Sequence, residues 1–113
     1  MTNSNSMSIL ELVKNNEIKI LITKSDINSA KIKEETKTPI CNAIKRLAIG
    51  DESYCSFFMV TVKKDGVFFK LKPSDFEIYN KFLTDFHTGE HVESIEIKFK
   101  ITAIKKNTFV FDI

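Results

Sequence analysis

Apolar residues recur at two periods along this chain, and the switches between them mark its elements. Ile18, Ile20 and Ile22 alternate with polar residues through Glu17 to Thr23, which predicts a β-branched strand. Ser25-Asp26 then begins a turn with Ile27 as its apolar anchor, and the charged run Lys31 to Lys37 reads as a solvated connector. From Thr38 the period changes. Ile40, Ala43, Ile44, Leu47 and Ala48 fall at i, i+3, i+4, i+7 and i+8, a helical stripe, with Asn42, Lys45 and Arg46 on the opposite side. Thr38 can cap the orphan amides, and Pro39 sits at the first helical position, where a missing N–H is harmless. Gly50 stands where a left-handed residue would end the helix.

Alternation returns from Tyr54 to Leu71 and is interrupted once, by Asp65-Gly66, the signature of a two-residue type I′ hairpin. That turn pairs Val62 with Phe69 and Val60 with Leu71 on one face. The other face carries Thr61, Lys63, Phe68 and Lys70, extended by Phe57 and Met59, so Phe57, Met59 and Phe68 are expected to form an apolar interface patch. Pro73 to Phe86 predicts a second helix with a Ser74/Glu77 capping box, a stripe of Phe76, Tyr79, Phe82, Leu83 and Phe86, and Gly89 as its stop. Glu93 to Ile101 alternates strictly, Lys105-Lys106-Asn107 is expected to turn, and Thr108 to Ile113 to form a last strand. Ser8 to Val13 suggests a short helix after a disordered stretch, residues 1–6. The expected architecture is a single α+β domain over 7–113: an antiparallel sheet of about five strands with two principal helices packed on one face.

Composition narrows the functions. At 113 residues and 42% hydrophobic content, the chain can build a core without disulfide or metal staples. Cys41 and Cys55 have no metal-ligand spacing and read as buried free thiols, which fits a reducing cytoplasm. No signal peptide or membrane-spanning run is expected, so no membrane partner is. The balance of 17 basic to 15 acidic residues, with Arg46 the only arginine, argues against sequence-specific nucleic-acid reading.

Candidate chemistry is sparse. Asp85, His87, Glu90 and His91 cluster in D-F-H-T-G-E-H but match no established metal or acid–base spacing. No nucleophile has a base in context and no glycine-rich phosphate loop exists, so no catalytic residue, cofactor or metal is expected and the protein is read as not an enzyme. The helix start at Thr38 is an anion-attracting position. With Lys31, Lys33, Lys37 and Arg46 it forms the candidate ligand-binding set, against the plainer reading of an ordinary capped helix.

The segment from Ile20 to Arg46, with Ser25-Asp26-Ile27 and then T-P-I-C-N-A-I-K-R, resembles a family of small phage and prophage proteins of uncharacterised activity. In that family a strand and an Asp-Ile turn lead to a Cys-Pro-Ile/Val-Ala-x-Ala-Ile helix. Phe82, Phe86, Gly89 and Val92 resemble its later aromatic F-x-x-x-F-D-x-G-x-x-V stretch. The chain departs from the pattern at Thr38, Cys41 and His87, where the family has cysteine, usually alanine, and aspartate.

The resemblance implies a phage accessory protein in the host cytoplasm. The expectation is a non-catalytic homo-oligomer that sequesters a nucleotide-type immune signal. The alternatives are an inhibitor of a host defence protein, docking through Phe57, Met59 and Phe68, or a single-stranded nucleic-acid-binding module on the sheet face.

Overall fold

The computed structural model describes residues 17–106, with side chains through Thr102. Five antiparallel strands form one sheet: β1 (Glu17–Ile22), β2 (Glu52–Cys55), β3 (Val60–Lys64), β4 (Val67–Pro73) and β5 (Ile95–Lys106), in spatial order β1-β5-β4-β3-β2. A short helix α1 (Lys24–Asn28) and two longer ones, α2 (Pro39–Arg46) and α3 (Phe76–His87), complete the α+β fold. Inward residues of the strands and the buried stripes of α2 and α3 form a single core, so the helices cover one face of the sheet. Among the described residues no helix covers the other face.

The alternating pattern sets the register. Ile18 faces Phe99 and Ile20 faces Ile97 across β1 and β5. In the hairpin, Val60 faces Leu71 and Val62 faces Phe69, and all four are buried. Asp65 and Gly66 take φ of 51° and 78°, the two left-handed residues that a type I′ turn requires.

Thr38 caps α2 as its residue type suggests, its hydroxyl accepting from the Cys41 N–H at 3.1 Å. The far end of α2 differs from expectation. Ala48, not Gly50, takes the left-handed conformation, with φ 57°. Glycine is required at position 50 for another reason: a Cβ there would run into Val62 Cγ1 and lie 3.3 Å from the Lys63 carbonyl oxygen.

Helix α3 starts later than its capping-box pattern indicates. Pro73 is still paired with Phe99 in the sheet and the Ser74 N–H donates to the Lys98 carbonyl, so Asp75 becomes the cap, accepting from the Ile78 N–H at 3.2 Å. This shift leaves Phe76 exposed, stacked on Phe58, while Tyr79, Phe82, Leu83 and Phe86 are buried. Gly89, with φ 85°, lies just past the helix end as expected.

Two strand boundaries are corrected. Lys105 and Lys106 do not turn; they continue β5 and pair with Phe68 and Val67, because β4 needs a partner along its whole length. A register shift at Lys70/Leu71 absorbs the mismatch. The fifth strand among the described residues is β2, four residues at the sheet edge. The expected helix at Ser8–Val13, the strand at Thr108–Ile113 and residues 1–6 lie outside the described residues.

Phe57 and Met59 do not extend the hairpin face. Residues 56–59 form a tight turn in which Ser56 Oγ accepts from the Phe58 and Met59 N–H groups, each at 3.2 Å. Phe57 therefore reaches α3, edge-on to His87 at 6.1 Å between ring centroids, whereas Phe68 stays on β4 under Lys63. The expected Phe57, Met59 and Phe68 patch is not one surface.

Candidate functional site

The polar face of α2 and the edge of the sheet diverge, and between them opens a groove of about 540 Å³. Its rim comes from the 31–37 connector, which supplies Lys31, Thr36 and Lys37. α2 contributes Cys41, Asn42 and Lys45, and the segment running into β2 adds Gly50 to Tyr54. Thr61, Lys63 and Phe68 complete it from β3 and β4. The size falls within the range of small-molecule sites.

Each of these side chains is there for a local reason. Asn42 and Lys45 occupy positions of α2 that the Ile40/Ala43/Ile44 stripe leaves outward. Asn42 is held by donating from Nδ2 to the Asp26 carbonyl at 2.9 Å and to Ser29 Oγ at 3.3 Å, which fixes the connector against α2. Lys63 and Phe68 are direct cross-strand neighbours, and the ammonium lies 5.8 Å above the ring centroid. Tyr54, on the outward side of β2, directs its hydroxyl to Glu35 at 3.4 Å. Four lysines and two aromatic rings thus border one opening, with Asp51 and Glu52 as its acidic members.

The five residues expected to bind ligand are dispersed. Lys31 and Lys37 border the groove. Lys33 does not: it lies at a left-handed position, φ 67°, and its N–H donates to His87 Nδ1 at 2.9 Å. Thr38 is fully buried, its hydroxyl accepting from Cys41 N–H and donating to Cys55 Sγ at 3.1 Å, so it faces the interior rather than a ligand.

Arg46 is committed elsewhere. Its Nε and Nη2 donate to the two Asp26 carboxylate oxygens at 3.1 and 2.9 Å, and Nη2 also donates to the Leu21 carbonyl at 2.8 Å. Asp26 closes a capping box with Thr23 at the start of α1. Burial pushes its carboxyl up, but Arg46 and the Thr23 hydrogen bonds outweigh that and hold it below the ordinary carboxylate value. The sequence reading missed Lys45, Lys63 and Tyr54. The signal was available for Lys63, because the hairpin register that pairs Val62 with Phe69 also places Lys63 opposite Phe68.

At the floor of the groove, Cys41 Sγ lies 3.4 Å from Cys55 Sγ. Cys41 occupies the first turn of α2 and Cys55 the last position of β2, so the two sulfurs bridge the groove's two walls. Both are free thiols. Cys55 hydrogen-bonds to the Cys41 sulfur and, with support from the Ser53 and Thr38 hydroxyls, lowers the Cys41 pKa to about 6 against the opposing effect of burial. Burial, and then the neighbouring Cys41, push Cys55 well up, so Cys41 is the member of the pair that ionises. The inward-facing Tyr79 hydroxyl, also pushed up by burial, donates to the Ser56 carbonyl at 2.6 Å and ties α3 to the end of β2.

The two histidines do not converge. His87 accepts from Lys33 and is half-buried between aromatic rings, and burial lowers its pKa; His91 pairs with Glu93 in solvent. Among the described residues no three histidine, cysteine or carboxylate side chains are placed to hold one metal ion. Among them, too, no helix is long and apolar enough to cross a membrane. Comparison with protein-family profiles, curated proteins and solved structures found no match.

Proposed function

We propose that this protein is a binding protein that captures a phosphate-bearing, aromatic small molecule of nucleotide type in the groove between α2 and β2. The observation that carries this reading is the convergence of Lys31, Lys37, Lys45 and Lys63 with the Tyr54 and Phe68 rings around one opening. Phosphates favour clustered ammonium groups, and a base favours an aromatic wall to stack on. Thr36 and Asn42 offer uncharged hydrogen-bonding groups nearby, and Asp51 and Glu52 can accept from exocyclic amines. With the resemblance to phage proteins, the proposal becomes sequestration of a host signalling nucleotide, by an oligomer and without chemistry on the nucleotide.

Isothermal titration with a panel of cyclic oligonucleotides and ADP-ribose derivatives tests the reading. We expect saturable heat with at least one member. Lys37→Glu and Lys45→Glu together should then weaken binding by about tenfold or more, since two favourable charge contacts become unfavourable ones. No heat with any member, or affinity indifferent to the charge reversal, would refute the proposal.

A second reading rests on the sheet face that no described helix covers. Lys19 stands opposite Lys98 and Lys72 opposite Lys100, two like-charge pairs that share one carboxylate, Glu17, which lies opposite Lys100 and 4.0 Å from Lys98 Nζ. Lys70 adds to the same exposed face. A single-stranded nucleic acid would satisfy these groups. Its affinity would fall steeply with salt and would drop in a Lys72→Glu, Lys98→Glu variant that leaves the groove intact.

A further inference from the structure

We propose that Cys41 and Cys55 form a thiol–disulfide exchange site whose substrate is a small anionic disulfide admitted through the lysine-bordered groove. The argument begins with placement. Two free thiols stand 3.4 Å apart, outside covalent range but close enough for one to attack the other's mixed disulfide. They are unequal. Both are buried, at 4% and 3% exposure, but Cys41 borders the groove from the first turn of α2, whereas Cys55 does not border it and lies under the Thr38 hydroxyl. That ordering assigns the roles. Cys41 meets the incoming disulfide, and Cys55, which does not border the groove, resolves the intermediate. The lower pKa of Cys41 supplies a thiolate near neutrality, and the higher one of Cys55 keeps the resolving thiol protonated until it is needed.

The steps balance. Cys41 thiolate attacks one sulfur of the disulfide RS–SR, forming Cys41–S–SR and releasing RS⁻. The Cys55 thiol gives its proton to the released thiolate and attacks Cys41 Sγ, which expels the second RS⁻, protonated by water. Two protein thiols are oxidised by two electrons and one small disulfide is reduced to two thiols. Lys31, Lys37, Lys45 and Lys63 around the entrance select for a negatively charged R group.

The test uses the full chain, folded and fully reduced, with glutathione disulfide as the anionic probe and cystamine as the cationic one. Products are read by mass spectrometry after acid quench and alkylation. We expect wild type to become unalkylatable at both cysteines, with the mass loss of two hydrogens and full recovery on reduction. Cys55→Ser should stop at a glutathione adduct on Cys41, and Cys41→Ser should react at least about tenfold more slowly, because only the thiol that does not border the groove remains. Glutathione disulfide should react faster than cystamine, and added salt should narrow the difference.

A glutathione adduct that persists in wild type, equal rates in Cys41→Ser and wild type, or cystamine reacting as fast as glutathione disulfide would overturn the proposal. Circular dichroism on each variant separates loss of reactivity from loss of fold. If a variant unfolds, wild type alone decides, through the identity of its product. No nucleotide enters the assay, so this inference stands or falls apart from the proposed ligand.

Discussion

Removing the Arg46 guanidinium should be the most damaging single change to a polar group in the described fold. Asp26 is 3% exposed and its carboxylate accepts from Arg46 Nε at 3.1 Å, Arg46 Nη2 at 2.9 Å and Thr23 N–H at 2.9 Å. In Arg46→Met the aliphatic stem survives but the buried carboxylate keeps one donor of three. Breaking a fully buried ion pair costs about 3–5 kcal/mol, and the arginine here is 39% exposed, so about 2–4 kcal/mol is expected. For a domain of this size that lowers Tm by roughly 10–20 °C. Asp26→Asn added to Arg46→Met should recover part of the loss, because no buried charge remains to be compensated.

The pH dependence carries the sharper test. The folded-state pKa of Asp26 lies below its unfolded value of about 3.9. Its contribution to stability is therefore present above about pH 4 and is lost as pH falls through the folded value. In Arg46→Met burial is opposed only by the Thr23 hydrogen bonds, so the folded-state carboxyl protonates more readily than in wild type. The stability gap between wild type and variant should narrow between pH 7 and pH 3, as followed by urea unfolding with circular dichroism. A gap under about 1 kcal/mol at pH 7, or one that is unchanged at pH 3, would refute the account of Arg46 as a clamp rather than a ligand-binding group.

Two further outcomes are expected. Gly50→Ala should cost about 1–3 kcal/mol in urea unfolding, because the new methyl must displace Val62 against the Lys63 backbone. The connector should loosen in acid: His87 Nδ1 accepts from Lys33 N–H only when neutral, and its folded pKa is lowered, so stability falls as pH drops from about 6.5 toward the folded value. Amide exchange at Lys33, compared with a His87→Ala variant that has lost the dependence, checks it.

How much of this was legible in the sequence depends on the distance over which each signal acts. The hairpin was readable to the residue, because Asp65-Gly66 and the alternation on either side are local and agree. The start of α2 was equally clear, since Thr38 and Pro39 act on the adjacent turn. The start of α3 was not: Ser74 and Glu77 have capping-box spacing, but the Ser74 amide is held by Lys98, far along the chain. Arg46 was read as a ligand-binding residue for the same reason, as nothing near it in sequence reveals Asp26 as its partner. Lys45 and Lys63 join one groove only once α2 is laid beside the sheet edge.

The groove and the thiol pair also constrain each other mechanically. Cys41 belongs to the wall that carries Asn42 and Lys45, and Cys55 to the wall that carries Glu52 and Tyr54. Forming the disulfide draws the sulfurs from 3.4 Å to about 2.05 Å, and the helix and edge strand must accommodate that approach at the floor of the site. Among the described residues no further strand lies on the outer side of β2, but Cys55 N–H donates to the Glu35 carbonyl and so passes the movement to the 31–37 connector. Lys31 and Lys37 lie on that connector. A change in the sulfurs therefore acts on the same lysines proposed to hold phosphate, through one hydrogen bond and a short length of backbone.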